Sequence, residues 1–146
     1  MLRGNLPAKI DDKGRLKVPS AFRAFIEERY GTDLFVTSLT GESVRLYPMP
    51  VWEEIERKLA GAPSTLPALR KFSDRVNYFG QTAELDKQGR VLIQPRLRES
   101  AGMVGDVDVL GQQKYIEVWN HERCANRVLS EPLTDEDLLA LSQYGI

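Results

Sequence analysis

The chain carries the same five-residue pattern twice: Asp, two residues, Gly, Arg. The first copy is Asp11-Asp12-Lys13-Gly14-Arg15 and the second, 75 residues later, is Asp86-Lys87-Gln88-Gly89-Arg90. Arginine is the side chain whose planar fork matches a carboxylate, a phosphate or the O6/N7 edge of guanine. Lys13 and Lys17 suit phosphate, which positions a duplex without specifying its sequence. Arg3 suits the same contact. Asp11 is placed to hold the Arg15 guanidinium in a bidentate pair and fix its rotamer. A second reading of the same residues needs no ligand: Asp-x-x-Gly is turn chemistry, and an Asp–Arg pair across a turn can brace a fold. Asp11, Gly14 and Gly89 are assigned to turn and brace. Asp86 and Arg90 are assigned either to structure or to a secondary contact.

Other chemistries find little support. His121 and Cys124 fall three apart on an expected helix and can share a face. Two ligands do not complete a zinc site, and the chain has no second Cys or His. No metal ligand, cofactor or catalytic residue is assigned. No glycine-rich loop follows a strand and opens a helix, as a phosphate cradle requires. Asp11 and Asp12 form a carboxylate pair, but Lys13 and Arg15 beside them point to charge balance over acid–base work. Trp52, Trp119 and Tyr47 sit at strand–helix junctions and read as core or subunit contacts.

Hydrophobic residues make up 42% of the 146 residues, enough for a packed core, and net charge is −1. That near-neutral total is unevenly spread. Residues 1–23 hold six Lys/Arg against Asp11 and Asp12, whereas residues 130–146 hold four acids and no Lys or Arg. No apolar run reaches the roughly 20 residues of a membrane helix, and no signal peptide or membrane partner is expected. Cys124 is the one cysteine, so no internal disulfide forms, which suits a reducing cytosol.

The motifs need elements to position them. Leu6–Ile10 and Arg15–Val18 read as strands around a turn that Asp opens and Gly closes. Thr82–Leu85 and Arg90–Ile93 repeat this around the second motif. A helix follows each hairpin, and Phe22-Arg23 and Leu97-Arg98 recur in those helices at one offset from the motifs. Gly31 and Gly102 stop the two helices. Second strand pairs follow, Leu34–Ser38 with Ser43–Tyr47 and Val107–Leu110 with Tyr115–Trp119. Another helix comes after each pair, the first carrying Val51, Trp52, Ile55 and Leu59 on one stripe, the second opening at Asn120. The chain divides into a first repeat, residues 1–62, a linker helix, 63–78, a second repeat, 79–129, and an acidic tail, 130–146. The expected fold is mainly β with helices: one small barrel from two copies of a unit too small to bury a core alone, helices outside. Trp52, Ile55, Leu69 and Phe72 are expected to remain exposed and to favour oligomers.

Ordered along the chain, Arg3-Gly4-Asn5, Asp12-Lys13-Gly14-Arg15-Leu16, Leu46-Tyr47-Pro48 before Trp52-Glu53, Gly80 before Glu84-Leu85-Asp86, and Gly89-Arg90-Val91-Leu92-Ile93 before Leu97-Arg98-Glu99 resemble the MraZ family of bacterial transcriptional regulators. The resemblance spans about residues 2–128. It implies an AbrB-like double-split, swapped-hairpin barrel with both units on one chain, ring-shaped homo-oligomers, and a cytoplasmic, nucleoid-associated protein. It also implies binding of double-stranded DNA at short G-rich direct repeats upstream of the cell-division and cell-wall gene cluster, the regulator's own gene included. Neither an enzyme activity nor a small-molecule substrate is implied. The alternative is an antitoxin-like module whose acidic tail binds a partner protein. Gln94 departs from the family pattern, which has Pro there as at Pro19, and a small shift of the helix start is expected.

Overall fold

The computed structural model describes residues 1–146. In chain order the first repeat forms β1 (Asn5–Ile10), β2 (Arg15–Lys17), α1 (Ser20–Tyr30), β3 (Asp33–Thr37), β4 (Val44–Pro48) and α2 (Met49–Ala60). The linker forms α3 (Pro67–Tyr78). The second repeat forms β5 (Gln81–Glu84), β6 (Arg90–Leu92), α4 (Pro95–Ala101), β7 (Gly105–Gly111), β8 (Ile116–Asn120) and α5 (His121–Ser130), and the tail adds α6 (Asp135–Ser142). Every expected strand forms, with ends shifted by a residue or two.

All eight strands join one antiparallel sheet in the order β5-β3-β4-β8-β7-β1-β2-β6. The two repeats interleave. β1 pairs with β7 and β5 with β3, so the first strand of each repeat lies against a strand of the other. β2 pairs with β6 and β4 with β8, joining equivalent strands across a pseudo-two-fold axis. The sheet's ends, β5 and β6, are consecutive in the chain and meet through the turn at residues 85–89. The sheet therefore curls into a nearly closed α+β barrel, leaving little free edge.

The interior belongs to both repeats. One cluster of 21 buried residues includes Leu16, Val18 and Ile26 from the first and Val91, Ile93 and Leu97 from the second. Neither repeat alone supplies both walls of this core, so the two fold as one unit.

A second cluster lies outside the barrel wall and corrects an expectation. Trp52 is buried with Tyr47, Val51 and Val76, and Ile55 and Phe72 pack on it. The linker helix α3 covers this side, and Thr37 Oγ1 donates to the Val76 carbonyl at 2.7 Å. An amphipathic stripe on α2 thus finds its partner within the chain.

Gln94 brings no shift. It caps α4 as Pro19 caps α1, and both helices begin at the next residue. Gln94 Nε2 donates to the Phe79 carbonyl at 2.6 Å, a tie that proline cannot make. The tail helix α6 carries a Thr134–Asp137 capping box and stays exposed. No helix is long and apolar enough to cross a membrane.

Candidate nucleic-acid interface

The two Asp-x-x-Gly-Arg motifs build near-identical turns. In the first, the Gly14 N–H donates to the Asp11 carbonyl at 3.0 Å and the Asp11 N–H to the Arg15 carbonyl at 2.9 Å. In the second, Gly89 and Asp86, then Asp86 and Arg90, repeat this at 3.0 Å each. Gly14 at φ 80° and Gly89 at φ 76° take the left-handed conformation that closes such a turn. Each aspartate then ties its turn internally. Asp11 Oδ1 accepts the N–H groups of Lys13 and Arg15 at 3.0 and 2.8 Å, and Oδ2 accepts Arg15 Nε at 2.8 Å. Asp86 does the same with Gln88 N–H, Arg90 N–H and Arg90 Nε.

That geometry corrects the bidentate pair expected of Asp11 and Arg15. The carboxylate spends one oxygen on backbone and offers only the other to the guanidinium. Arg15 is oriented through Nε, and no hydrogen bond engages its Nη1 or Nη2. The fork stays available for an external acceptor. Hydrogen bonding to the backbone N–H of Arg15, then to its side chain and to Lys13, holds the Asp11 carboxyl below its ordinary range. Asp86 is lowered likewise, first by the Arg90 N–H.

The sheet puts both motifs on one ribbon. Across β2 and β6 the facing pairs are Arg15 with Leu92, Leu16 with Val91, and Lys17 with Arg90. Leu16 and Val91 point into the core. By the period-two alternation of strands, Arg15, Lys17, Arg90 and Leu92 point outward together. Because the pair is antiparallel, the turns bearing Lys13 and Lys87 stand at its opposite ends. The structure thus brings Lys13, Arg15, Lys17 and Arg90 into one basic strip braced by Asp11 and Asp86.

Arg3 is not part of that strip. It lies at the other end of β1, held beside the β7–β8 connection by the Leu2–Gln113 bridge. The six residues of β1, about 20 Å of strand, separate it from the Asp11 turn.

Two further arginines, unassigned in the sequence reading, border the strip. Arg23 of α1 reaches the opposite repeat's turn, where its Nη2 donates to the Lys87 carbonyl at 2.9 Å and its Nε to Glu27 at 3.0 Å. Arg98 of α4 lies over Gly14. The signal for them was the recurrence of Phe22-Arg23 as Leu97-Arg98 at one offset.

Elsewhere, the His121 Nδ1 and Asp108 Oδ2 lie 3.1 Å apart, and Cys124 is buried, its thiol pushed up chiefly by burial. No group of three or more His, Cys, Asp or Glu side chains is placed to hold a metal ion.

Known proteins resemble this chain along its whole length. Residues 1–75 and 80–128 match the family described as "MraZ protein, putative antitoxin-like". A transcriptional regulator MraZ from Acidobacterium capsulatum is 49% identical over 146 residues, covering 100% of both chains. One from Koribacter versatilis is 48% identical over 147 residues, again covering 100% of both. One from Nitrosomonas europaea is 35% identical over 120 residues, 82% of this chain and 81% of its own.

Proposed function

This chain belongs to the MraZ family, and on that premise we propose that it regulates transcription by sequence-specific binding of double-stranded DNA through the β2/β6 ribbon. The observation that carries this reading is the Arg15 fork, oriented through Nε by Asp11 with both terminal nitrogens free. A two-stranded ribbon fits the major groove, and such a fork pairs with guanine O6 and N7. Lys13 and Lys17 take phosphates and set the register. Arg90, braced as Arg15 is, adds a secondary contact at the other end of the ribbon.

The targets proposed are short G-rich direct repeats upstream of the cell-division and cell-wall gene cluster, including the protein's own gene. A ring-shaped homo-oligomer would present one ribbon per subunit to successive repeats, multiplying a modest affinity per site. The protein would then work in the cytoplasm at the nucleoid. This reading assigns it no catalytic role and no cofactor.

The test is a titration against DNA from upstream of the protein's own gene, with a scrambled sequence as control, at several salt concentrations. Tighter binding to the native sequence, weakening with salt, is expected. Equal affinity for both sequences would overturn sequence-specific reading.

A second reading, an antitoxin-like module, draws on the family's description and on the tail. Helix α6 is exposed and carries Leu138 and Leu139 beside its acids. Deleting residues 131–146 leaves DNA affinity intact on the first reading.

A further inference from the structure

Arg98 holds the only buried side-chain nitrogen or oxygen in the molecule without a hydrogen-bond partner, its Nε. Its counterpart Arg23 has partners, Glu27 on Nε and the Lys87 carbonyl on Nη2. The difference is written in the repeat. Seventy-five residues beyond Glu27 stands Gly102, which ends α4 a turn earlier than α1 and supplies no carboxylate. The second repeat keeps the arginine and drops its acid.

The location gives that omission a meaning. The Arg98 guanidinium lies on the first hairpin's turn: a Cβ built on Gly14 would collide with its Nη1 and Cζ. It therefore borders Lys13, on the turn that leads into Arg15. A buried donor left unmet is costly to the protein and calls for an explanation.

We propose that Arg98, carried by the second repeat, is a DNA-phosphate contact of the first repeat's hairpin, a backbone phosphate of the bound duplex meeting its terminal nitrogens, which no protein group engages, and supplying the negative charge that Glu27 gives Arg23. The two ends of the ribbon are then unequal. The first turn offers an uncompensated arginine, whereas the second has its arginine neutralised by Glu27. That inequality adds to the one already on the ribbon, where Lys17 has Leu92 as its counterpart, and both favour one polarity of the complex on a direct repeat. The inference rests on the first hairpin being the DNA reader.

The experiment uses the full chain as Arg98→Met, Arg98→Lys, Arg23→Met and Arg15→Ala. Each is titrated with upstream DNA between about 50 and 200 mM salt and melted without DNA. Arg98→Met is expected to reduce the slope of log K against log salt by about 0.9 for each engaged subunit. Arg98→Lys should restore the slope, Arg23→Met should leave it unchanged, and the melting temperature of Arg98→Met should not fall. A wild-type slope for Arg98→Met, with Arg15→Ala defective, overturns the inference and spares the reading of the hairpin. Wild-type binding by Arg15→Ala defeats that reading itself. Should Arg98→Met fail to fold, Arg98→Gln supplies the same comparison. If inorganic phosphate at matched ionic strength raises the melting point through Arg98 while the DNA slope stays unchanged, the site takes free anions and the proposal fails.

Discussion

The backbone N–H of Val18 donates to the carbonyl oxygen of Gly89 at 2.9 Å, tying the end of the first repeat's ribbon strand to the second repeat's turn. Ile93 donates to Gly14 at 3.1 Å in the mirror relationship. Each turn is thus part of the other repeat's structure, and its conformation is constrained from both sides.

Alanine at either glycine should therefore destabilise the whole barrel. The left-handed conformation costs a residue with a Cβ about 1–2 kcal/mol. The Gly89→Ala change should be the worse of the two. Its Cβ would lie 2.6 Å from Arg23 Cδ, displacing a side chain bonded to Glu27 and Lys87. Arg98, over Gly14, is free of such bonds and moves more easily. Denaturant midpoints of the two variants check this; equal losses would show that the arginine bonds add nothing.

Binding and bracing separate at the arginines. Arg15→Ala should cost about 1–3 kcal/mol of DNA affinity per contact and relax sequence preference. Lys13→Ala should weaken binding evenly across sequences and flatten the salt dependence. Arg90→Ala should lose less affinity than Arg15→Ala while lowering the melting temperature similarly, because the two Asp–Arg braces match at 2.9 and 2.8 Å. Titrations and melts of all three variants decide the matter.

The aspartates set an acid limit. Their folded carboxyls titrate below the ordinary value of 3.8, so the unfolded chain binds more protons in acid. Their stabilisation is complete above that value and is lost as pH falls through the lower, folded value. Asp11→Asn should thus melt below wild type at neutral pH, and the gap should close as pH drops under 3.8. A gap unchanged down to strong acid would assign the effect to turn geometry alone.

Trp52 anchors the outer cluster, 4% exposed and stacked on Phe35 at 4.6 Å between ring centroids. Trp52→Ala should cost about 3–5 kcal/mol in denaturant unfolding. Ile55→Ala, at a half-buried position, should cost clearly less. Comparable losses would mean that the cluster collapses around the missing indole.

The ring assembly is open to direct measurement. Sedimentation at micromolar concentration should give a species larger than a dimer. With Trp52 buried, the exposed apolar residues left to form contacts include Tyr78, Val104, Val128 and Leu129. A stable monomer would remove the multivalent part of the proposed mechanism.

Local chemistry made much of this legible from residues alone. Asp and Gly at their fixed spacing dictate the two turns, alternation dictates the strands, and Gly31, Gly102 and Asn120 mark helix ends, all through contacts within a few positions. The repetition announced two copies of one unit. Pairing partners were beyond such signals. Alternation tells which face of β2 is buried, since Leu16 must point inward, but not that β6 lies alongside. Only the closed sheet sets Lys17 against Arg90, carries Arg3 the length of β1 away from the turn, and folds the linker helix over Trp52. Only tertiary packing lays Arg98 on Gly14, 84 residues distant in sequence. The physical reason is one of range: turns, caps and face alternation are settled by neighbours along the chain, whereas the meeting of strands and side chains from different repeats is settled by burying one shared core.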